Sequence, residues 1–320
     1  MNNASVVGID VSKQYFDAAW AVENGQCEQR RFRQDVEGFA ELVRLTPEGS
    51  VYVMEATGVY YLRLAHYLHA AGVRVAVINP LVIRRYGQMK LLRAKTDRVD
   101  AQLIASYGQT GSFALWQPAE NAISQLQQLQ SWLEGLLQEQ TRLKNQQEAW
   151  RQRPEASAFV GAAQAQRLEQ LQDQIHACEQ EMQQWVQRHY AGVYQRLISI
   201  PGVGPKTAIQ LIAVTDGFRR FDRVEALVSY VGLCPRVYTS GSSVRGSHHI
   251  TKLGMGRMRQ LLYLCSWTAQ RCNQACARLH ARLKAKGKPE RVIKIAIAHK
   301  LLRQAFAVAM KHEMYSETCT

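Results

Sequence analysis

The sequence predicts an α/β domain followed by a long helical segment and a mainly helical C-terminal domain. Three observations predict this. Short apolar strand patterns dominate the first 80 or so residues and then alternate with helical patterns, as a mixed sheet requires. Residues 121–190 are rich in glutamine, poor in glycine and spaced as helix. From about 196 onward the apolar residues keep helical spacing between glycine-containing turns. The expected domains are 1–118, 119–192 and 193–320.

In chain order, SVVGIDV at 5–11 and YFDAAWAV at 15–22 read as strands joined by a polar turn, and CEQRRFR at 27–33 as a third, more exposed strand. Val36, Phe39, Leu42 and Val43 give 35–45 a helical stripe. SVYVM at 50–54 and VRVAVI at 73–78 read as buried strands on either side of a helix near 58–71. In the glutamine-rich segment, Leu168, Leu171, Ile175, Cys178, Met182 and Trp185 alternate steps of three and four, the a/d seam of a coiled coil. Leu129, Leu133, Leu136, Leu143 and Trp150 keep the same phase, and Pro154 opens a turn running to about 163. The pattern is a helical coiled-coil hairpin, with arms of roughly 40 Å at 1.5 Å per residue. Its seam allows pairing within one chain or between two. Further helices are expected at 206–214, 223–230, 256–284 and 289–312.

Composition narrows the partners. The 40 lysines and arginines outnumber the 26 acids, for a net charge of +14. Such a balance favours nucleic acid or an anionic surface. No apolar run reaches the roughly 20 residues of a spanning helix, and MNNASVVGID lacks the features of a signal peptide. These features make nucleic acid in the cytoplasm the leading environment. The seven cysteines are odd in number, scattered and without a CxxC pair, as in a reduced chain. Cys272, Cys276 and His280 share an i, i+4, i+8 spacing. A zinc site would need a fourth ligand, and buried small side chains on one helix, extended by Cys265, are the simpler reading.

Four acids stand where structure alone does not ask for them. Asp10 ends an apolar strand in GIDVSK, and Glu55 takes the matching place in VYVMEATG. A carboxylate so placed is costly unless partnered. In KTDRVDAQLIASY, Thr96 can cap a helix whose first turn carries Asp97 and Asp100 on one face. That pair alone could merely offset the helix dipole. Together the four make an all-oxygen donor set suited to Mg²⁺, with room for one ion or two acting on a phosphodiester. Arg84, Arg85, Lys90, Arg93, Lys95 and Arg98 lead into the pair and suit a nucleic-acid backbone.

LISIPGVGPKTAIQLIA at 197–213 has the pattern of a helix-hairpin-helix. Gly202 and Gly204 would let backbone N–H groups approach a phosphate at a helix N-terminus, with Lys206 adding charge. An ordinary tight turn between helices is the plainer alternative. Next, VYTSGSSVRG at 237–246 places Ser240, Ser242 and Ser243 among Arg245, His248, His249, Lys252, Arg257 and Arg259. These cations suit the developing charge on a phosphate. Composition leaves the three serines equivalent, and a phosphate-binding loop without chemistry equally open. Adjacent histidines on an extended chain point opposite ways, which argues against a shared metal.

GIDVSK, VYVMEATGVY and KTDRVDAQLIA resemble the acidic motifs of the DEDD transposases of bacterial insertion sequences, the bridge-RNA-guided serine recombinases. The second half continues the resemblance, with Gly232, Leu233, Pro235, Ser240, Gly241, Gly246, Lys252, Gly254 and Arg259 matching the family's C-terminal signature. The resemblance implies an RNase H-like (RuvC-like) N-terminal domain and a metal-binding quartet of Asp10, Glu55, Asp97 and Asp100. It also implies that Ser240 is the nucleophile holding a DNA end covalently. Donor and target DNA, a structured noncoding guide (bridge) RNA and a homo-oligomer, a tetramer, are the implied partners, with the two domains of different subunits composing one site. The main alternative is a RuvC-like metal-dependent nuclease or junction resolvase using water. A DNA-only transposase and a non-catalytic nucleic-acid scaffold are the others.

Overall fold

The computed structural model describes residues 5–22, 26–91, 97–234, 239–240, 244–245, 250 and 253–317, and leaves the side chains of 97, 98, 239, 240, 244 and 245 undescribed. The chain forms two compact units, Met1–Pro118 and Ala119–Thr320. No helix among the described residues is long and apolar enough to cross a membrane.

The first unit is built on a five-stranded mixed sheet ordered β3-β2-β1-β4-β5. Strands β1 (Val6–Val11), β2 (Tyr15–Ala21) and β3 (Cys27–Arg33) form an antiparallel meander. Strands β4 (Val51–Glu55) and β5 (Arg74–Ile78) run parallel to β1. The period of two along each strand feeds both faces. Val7, Ile9, Phe16, Trp20, Tyr52 and Met54 form one core with Phe39 and Leu42 of α1 (Val36–Leu45) and Leu64 and Leu68 of α2 (Tyr61–Ala70). On the other face, Val51, Val53, Ala76 and Ile78 pack with Ile83 of α3 (Pro80–Met89) and Ile104 of α4 (Asp97–Gly108).

Local chemistry sets several of these boundaries. The Asp35 carboxylate accepts from Gly38 N–H at 3.0 Å and starts α1. Asn79 caps α3 by accepting from Leu81 N–H, and Pro80 follows at the first helical position. Helix α3 had no counterpart in the apolar pattern, because only Ile83 and Gly87 of it are buried and its arginines dominate the reading.

In the second unit, α5 (Asn121–Arg151) and α6 (Ala158–His189) lie antiparallel. Trp185 Nε1 donates to the Ala122 carbonyl at 2.9 Å, Cys178 Sγ to that of Leu129 at 3.5 Å, and Gln140 reaches Gln172 at 2.9 Å. These contacts lie within one chain. The turn is shorter than expected, since α6 begins at Ala158. Trp150 lies against Gly161, where a Cβ would come within 2.4 Å of the indole ring.

Helices α7 (Ala191–Ile198), α8 (Pro205–Thr215), α9 (Val224–Val231), α10 (Gly256–Cys272), α11 (Gln274–Ala285) and α12 (Glu290–Lys311) complete the unit, with the two-residue strands β6 (Thr239–Ser240) and β7 (Val244–Arg245). Every residue from Thr207 to Thr215 of α8 is buried, so this helix runs through the core.

The single helix expected over 256–284 is two helices. Asn273 leaves the helical region (φ −110°, ψ 108°) and caps α11 by accepting from Cys276 N–H at 3.1 Å. Its amide also donates to the Gln304 side chain at 3.1 Å. The cysteine face is corrected accordingly. Cys272 is exposed on α10, and Cys276 and His280 belong to α11. Burial pushes the Cys276 thiol up to about 11. His280 faces Glu290 at 3.2 Å.

Candidate active site

The acids of the first unit gather at one end of the sheet because α4 docks tightly against it. A Cβ at Gly8 would lie 2.1 Å from Ala105 N and 2.3 Å from the Ala101 carbonyl oxygen. Only glycine admits a helix backbone so close. A Cβ at Gly108 would meet Val6 at 2.5 Å and Val53 at 2.8 Å. Helix α4 therefore runs opposite to β1, from Ala101 over Gly8 to Gly108 over Val6. Its first turn, with Asp97 and Asp100, projects toward the Asp10 end.

Parallel pairing brings Glu55 to the same end. Ile9 pairs with Met54, so Asp10 and Glu55 are the next residues on neighbouring strands and share a sheet face. Thr57 Oγ1 donates to Glu55 Oε1 at 2.8 Å and fixes that carboxylate. Asp10, Glu55 and Asp100 are partly buried. Among the described residues, no three His, Cys, Asp or Glu side chains close into a metal-binding group. The side chain of Asp97 lies outside the described residues. The donors present are all carboxylate oxygens, which fits a hard divalent cation.

A fifth acid stands beside them. Asp17 of β2 pairs directly with Asp10, and Arg31 of β3 pairs with Asp17. The row Arg31–Asp17–Asp10 crosses three strands on one face. Asp17 is 4% exposed and accepts from Arg31 Nη2 at 2.8 Å and Nε at 3.2 Å. The Arg31 guanidinium also lies 4.1 Å from the centre of the Tyr15 ring. Like charges opposite each other destabilise an antiparallel pair, and Arg31 offsets one of the two. Sequence reasoning missed Asp17; the signal was an acid in the middle of FDAAW, facing an arginine in the next strand.

In the second unit, Ser240 pairs with Val244 and Thr239 with Arg245 across β6 and β7. The side chains of Ser240 and Arg245 are not described, and Arg93, Lys95, Lys252, Gly241, Ser242, Ser243, His248 and His249 lie outside the described residues. The two ends of this segment are locked together. Gly232 (φ 81°) and Gly254 (φ 101°) both take left-handed backbone. A Cβ at Gly232 would lie 2.0 Å from the Leu253 carbonyl oxygen, and one at Gly254 would lie 2.5 Å from that of Tyr230. Arg259 Nη1 donates to the Val231 carbonyl at 2.9 Å and to that of Leu253 at 3.3 Å. This nitrogen of Arg259, a residue expected to serve nucleic acid, ties two backbone segments together.

The glycine turn before α8 is likewise more structural than its sequence suggests. Gly202 (φ 99°) faces α10, where its Cβ would lie 2.6 Å from Ala269 Cβ. Gly204 starts α8 with nothing within 4 Å of an added Cβ. Lys206 is exposed and pairs with Glu179 at 2.5 Å. Arg84 and Arg85 are exposed on α3, and Arg85 donates to Gln88 at 3.1 Å. Arg257 is partly buried and donates to Gln260 at 3.0 Å.

An acid-bearing sheet domain and a separate basic helical unit match the two halves of a transposase. The DEDD transposase model of the IS110 group covers residues 7–150, and the IS116/IS110/IS902 transposase family model covers residues 194–281. The pilin gene-inverting protein of Moraxella bovis is 31% identical, over 97% of both chains. Its namesake in Moraxella lacunata is 30% identical, again over 97% of both. The transposase for insertion sequence element IS1328 of Yersinia enterocolitica is 24% identical, over 99% of this chain and all of that one. A Thermus thermophilus RuvC structure aligns with 35% of this chain and 99% of its own, at 14% identity and a TM-score of 0.25. The chain is a transposase, an enzyme of DNA strand transfer. It belongs to the IS110 family.

Proposed function

We propose that the chain is an RNA-guided DNA recombinase that moves an insertion sequence through a covalent bond between Ser240 and a DNA phosphate. The observation that carries the reading is the Gly232–Gly254–Arg259 clasp, which closes the base of the serine-bearing segment inside a basic unit. In this reaction the Ser240 oxygen forms a P–O bond as one bridging P–O bond of the DNA breaks. The departing sugar oxygen leaves as a hydroxyl. A sugar hydroxyl of another strand then attacks the same phosphorus, and the serine regains its proton. Each step exchanges one ester for another, so no external energy source is needed.

Asp10, Glu55, Asp97 and Asp100 would hold Mg²⁺, which supplies Lewis acidity at a phosphate oxygen. Arg245, Lys252 and Arg257 would neutralise phosphate charge near the serine, as Arg84, Arg85, Arg93 and Lys95 would near the acids. Gly202, Gly204 and Lys206 would guide a backbone past the N-terminus of α8. A structured guide RNA would select donor and target by base pairing, leaving the protein to read shape and backbone. A tetramer would bring the acids of one subunit to the serine of another.

The test is a denaturing gel with target DNA and the co-purified RNA. A protein–DNA adduct mapped to Ser240 by mass spectrometry supports the reading, as does loss of target binding after RNase treatment. Full-rate cleavage by Ser240→Ala without an adduct would assign the chemistry to water. The similarity to pilin gene-inverting proteins favours one variation, in which the same cutting and rejoining inverts a segment between two sites.

A further inference from the structure

Helix α8 carries one polar group that its surroundings leave unanswered. Gln210 sits in the fully buried run Thr207–Thr215 and is 3% exposed. The other buried polar groups in the run have partners: Thr207 meets Cys265 Sγ at 3.1 Å and Thr215 donates to the Leu211 carbonyl at 2.6 Å. Gln210 Nε2 has no hydrogen-bond partner among the described residues. A buried amide N–H left unmade costs free energy comparable to a lost hydrogen bond, so such groups ask what they bind.

Gln210 lines a cavity of about 290 Å³ between α5, α6, α8 and α10. Leu133, Met182, Ile209 and Leu261 supply its apolar wall, and Lys206 and Arg257 bring positive charge. Lys206 is 66% exposed and pairs with Glu179, which lines the same cavity, while Arg257 is partly buried at its edge.

We propose that this cavity takes the unstacked base of a nucleotide in a bound nucleic-acid strand. The volume lies at the low end of ligand pockets, enough for one ring system and too small for a large cofactor. The apolar wall accepts the faces of a base, and a turn of the Gln210 side chain brings its buried Nε2 to an acceptor on the base edge. The Lys206 ammonium and the Arg257 guanidinium take the phosphate of the same nucleotide. A free anion would not need the apolar wall, and an apolar peptide side chain would leave Gln210 unanswered. The proposal rests on the chain acting on nucleic acid and is independent of the role of Ser240.

The experiment measures binding of fluorescent 15-nucleotide homopolymers, RNA and DNA, to the full-length protein by anisotropy at fixed salt. Gln210→Leu should weaken binding of the strands whose base presents the matching acceptor by about two- to tenfold, the size of one hydrogen bond. It should leave the other homopolymers unchanged. The RNA and DNA arms tell which strand supplies the base. Thermal unfolding of Gln210→Leu should be unchanged or raised, because an unanswered amide has been removed. A purely structural glutamine would lower it. Gln183→Trp, at an exposed lining position, should reproduce the base-selective loss by plugging the cavity. Wild-type affinities for every homopolymer in both variants would overturn the proposal and leave the cavity to water. An equal loss across all bases would overturn it in favour of a phosphate-only contact.

Discussion

Gly232 fills the side-chain space of Gly254: a Cβ on Gly254 would lie 3.0 Å from Gly232 N, and one on Gly232 would lie 2.0 Å from the carbonyl oxygen of Leu253, the residue before Gly254. Each also has positive φ, so neither tolerates a side chain on backbone grounds or on packing grounds. Gly254→Ala should lower stability by about 1–3 kcal/mol, read as a fall in unfolding temperature, and adduct formation by Ser240 should fall with it. Arg259→Lys should not rescue the tie between the Val231 and Leu253 carbonyls as a guanidinium does, because an ammonium cannot reproduce its fixed fork. Unchanged adduct yield in Arg259→Lys would disconnect the clasp from the chemistry.

The same logic applies at Gly8. The Ala101 carbonyl and Ala105 amide fill the space beside it, so Gly8→Ala must displace backbone rather than a side-chain tip. Overpacking of this kind costs about 1–3 kcal/mol. All four acids are retained in the chain, yet the first turn of α4, with Asp97 and Asp100, shifts relative to Asp10. Strand transfer should fall more than unfolding temperature does. A variant with wild-type activity would separate the acids' function from the docking of α4.

The sheet was legible because its strands are short apolar runs bounded by polar turns, and β3 matches CEQRRFR end to end. The acids were legible because charge at the end of an apolar strand needs a reason. Other features were hidden for physical reasons. Asn273 breaks a helix through partners distant in sequence, Gln304 among them. Arg259 reads as a free cation until its carbonyl partners are known. Gln210 reads as an ordinary helix residue until its burial on all sides is seen. Local pattern reports local structure, whereas these three are decided by what packs against them.

Alkaline pH offers a test of the packing between the end of α6 and the start of α5. Tyr190 follows α6, donates to Glu120 at 3.3 Å, and Glu120 pairs with Arg219. Burial, reinforced by the Glu120 charge, raises its phenol from 10.0 to about 12. A raised folded pKa favours the fold fully below the unfolded value and loses that contribution as pH rises through the folded one. Stability should therefore decline between about pH 10 and 12, and Tyr190→Phe should make that decline shallower. Chemical denaturation across this range, with tyrosinate absorbance followed in parallel, checks it. Identical pH profiles for the two proteins would remove Tyr190 from the account.

Asp17 and Arg31 allow the acidic end of the sheet to be tested without touching the quartet. Arg31 is half-exposed, so its pairing with Asp17 is worth about 1 kcal/mol rather than the larger cost of a fully buried break. Arg31→Gln leaves Asp17 facing Asp10 across one strand pair with no cation from β3. The variant should lose about that much stability in the absence of divalent ions. Mg²⁺ should restore part of the loss, because a cation held by Asp10 relieves the repulsion that Arg31 no longer offsets. In Asp10→Asn/Arg31→Gln the loss should shrink without Mg²⁺, and added Mg²⁺ should restore nothing. Thermal unfolding of the three proteins with and without Mg²⁺ reads this directly. A Mg²⁺ effect that survives in the double variant would place the ion away from Asp10.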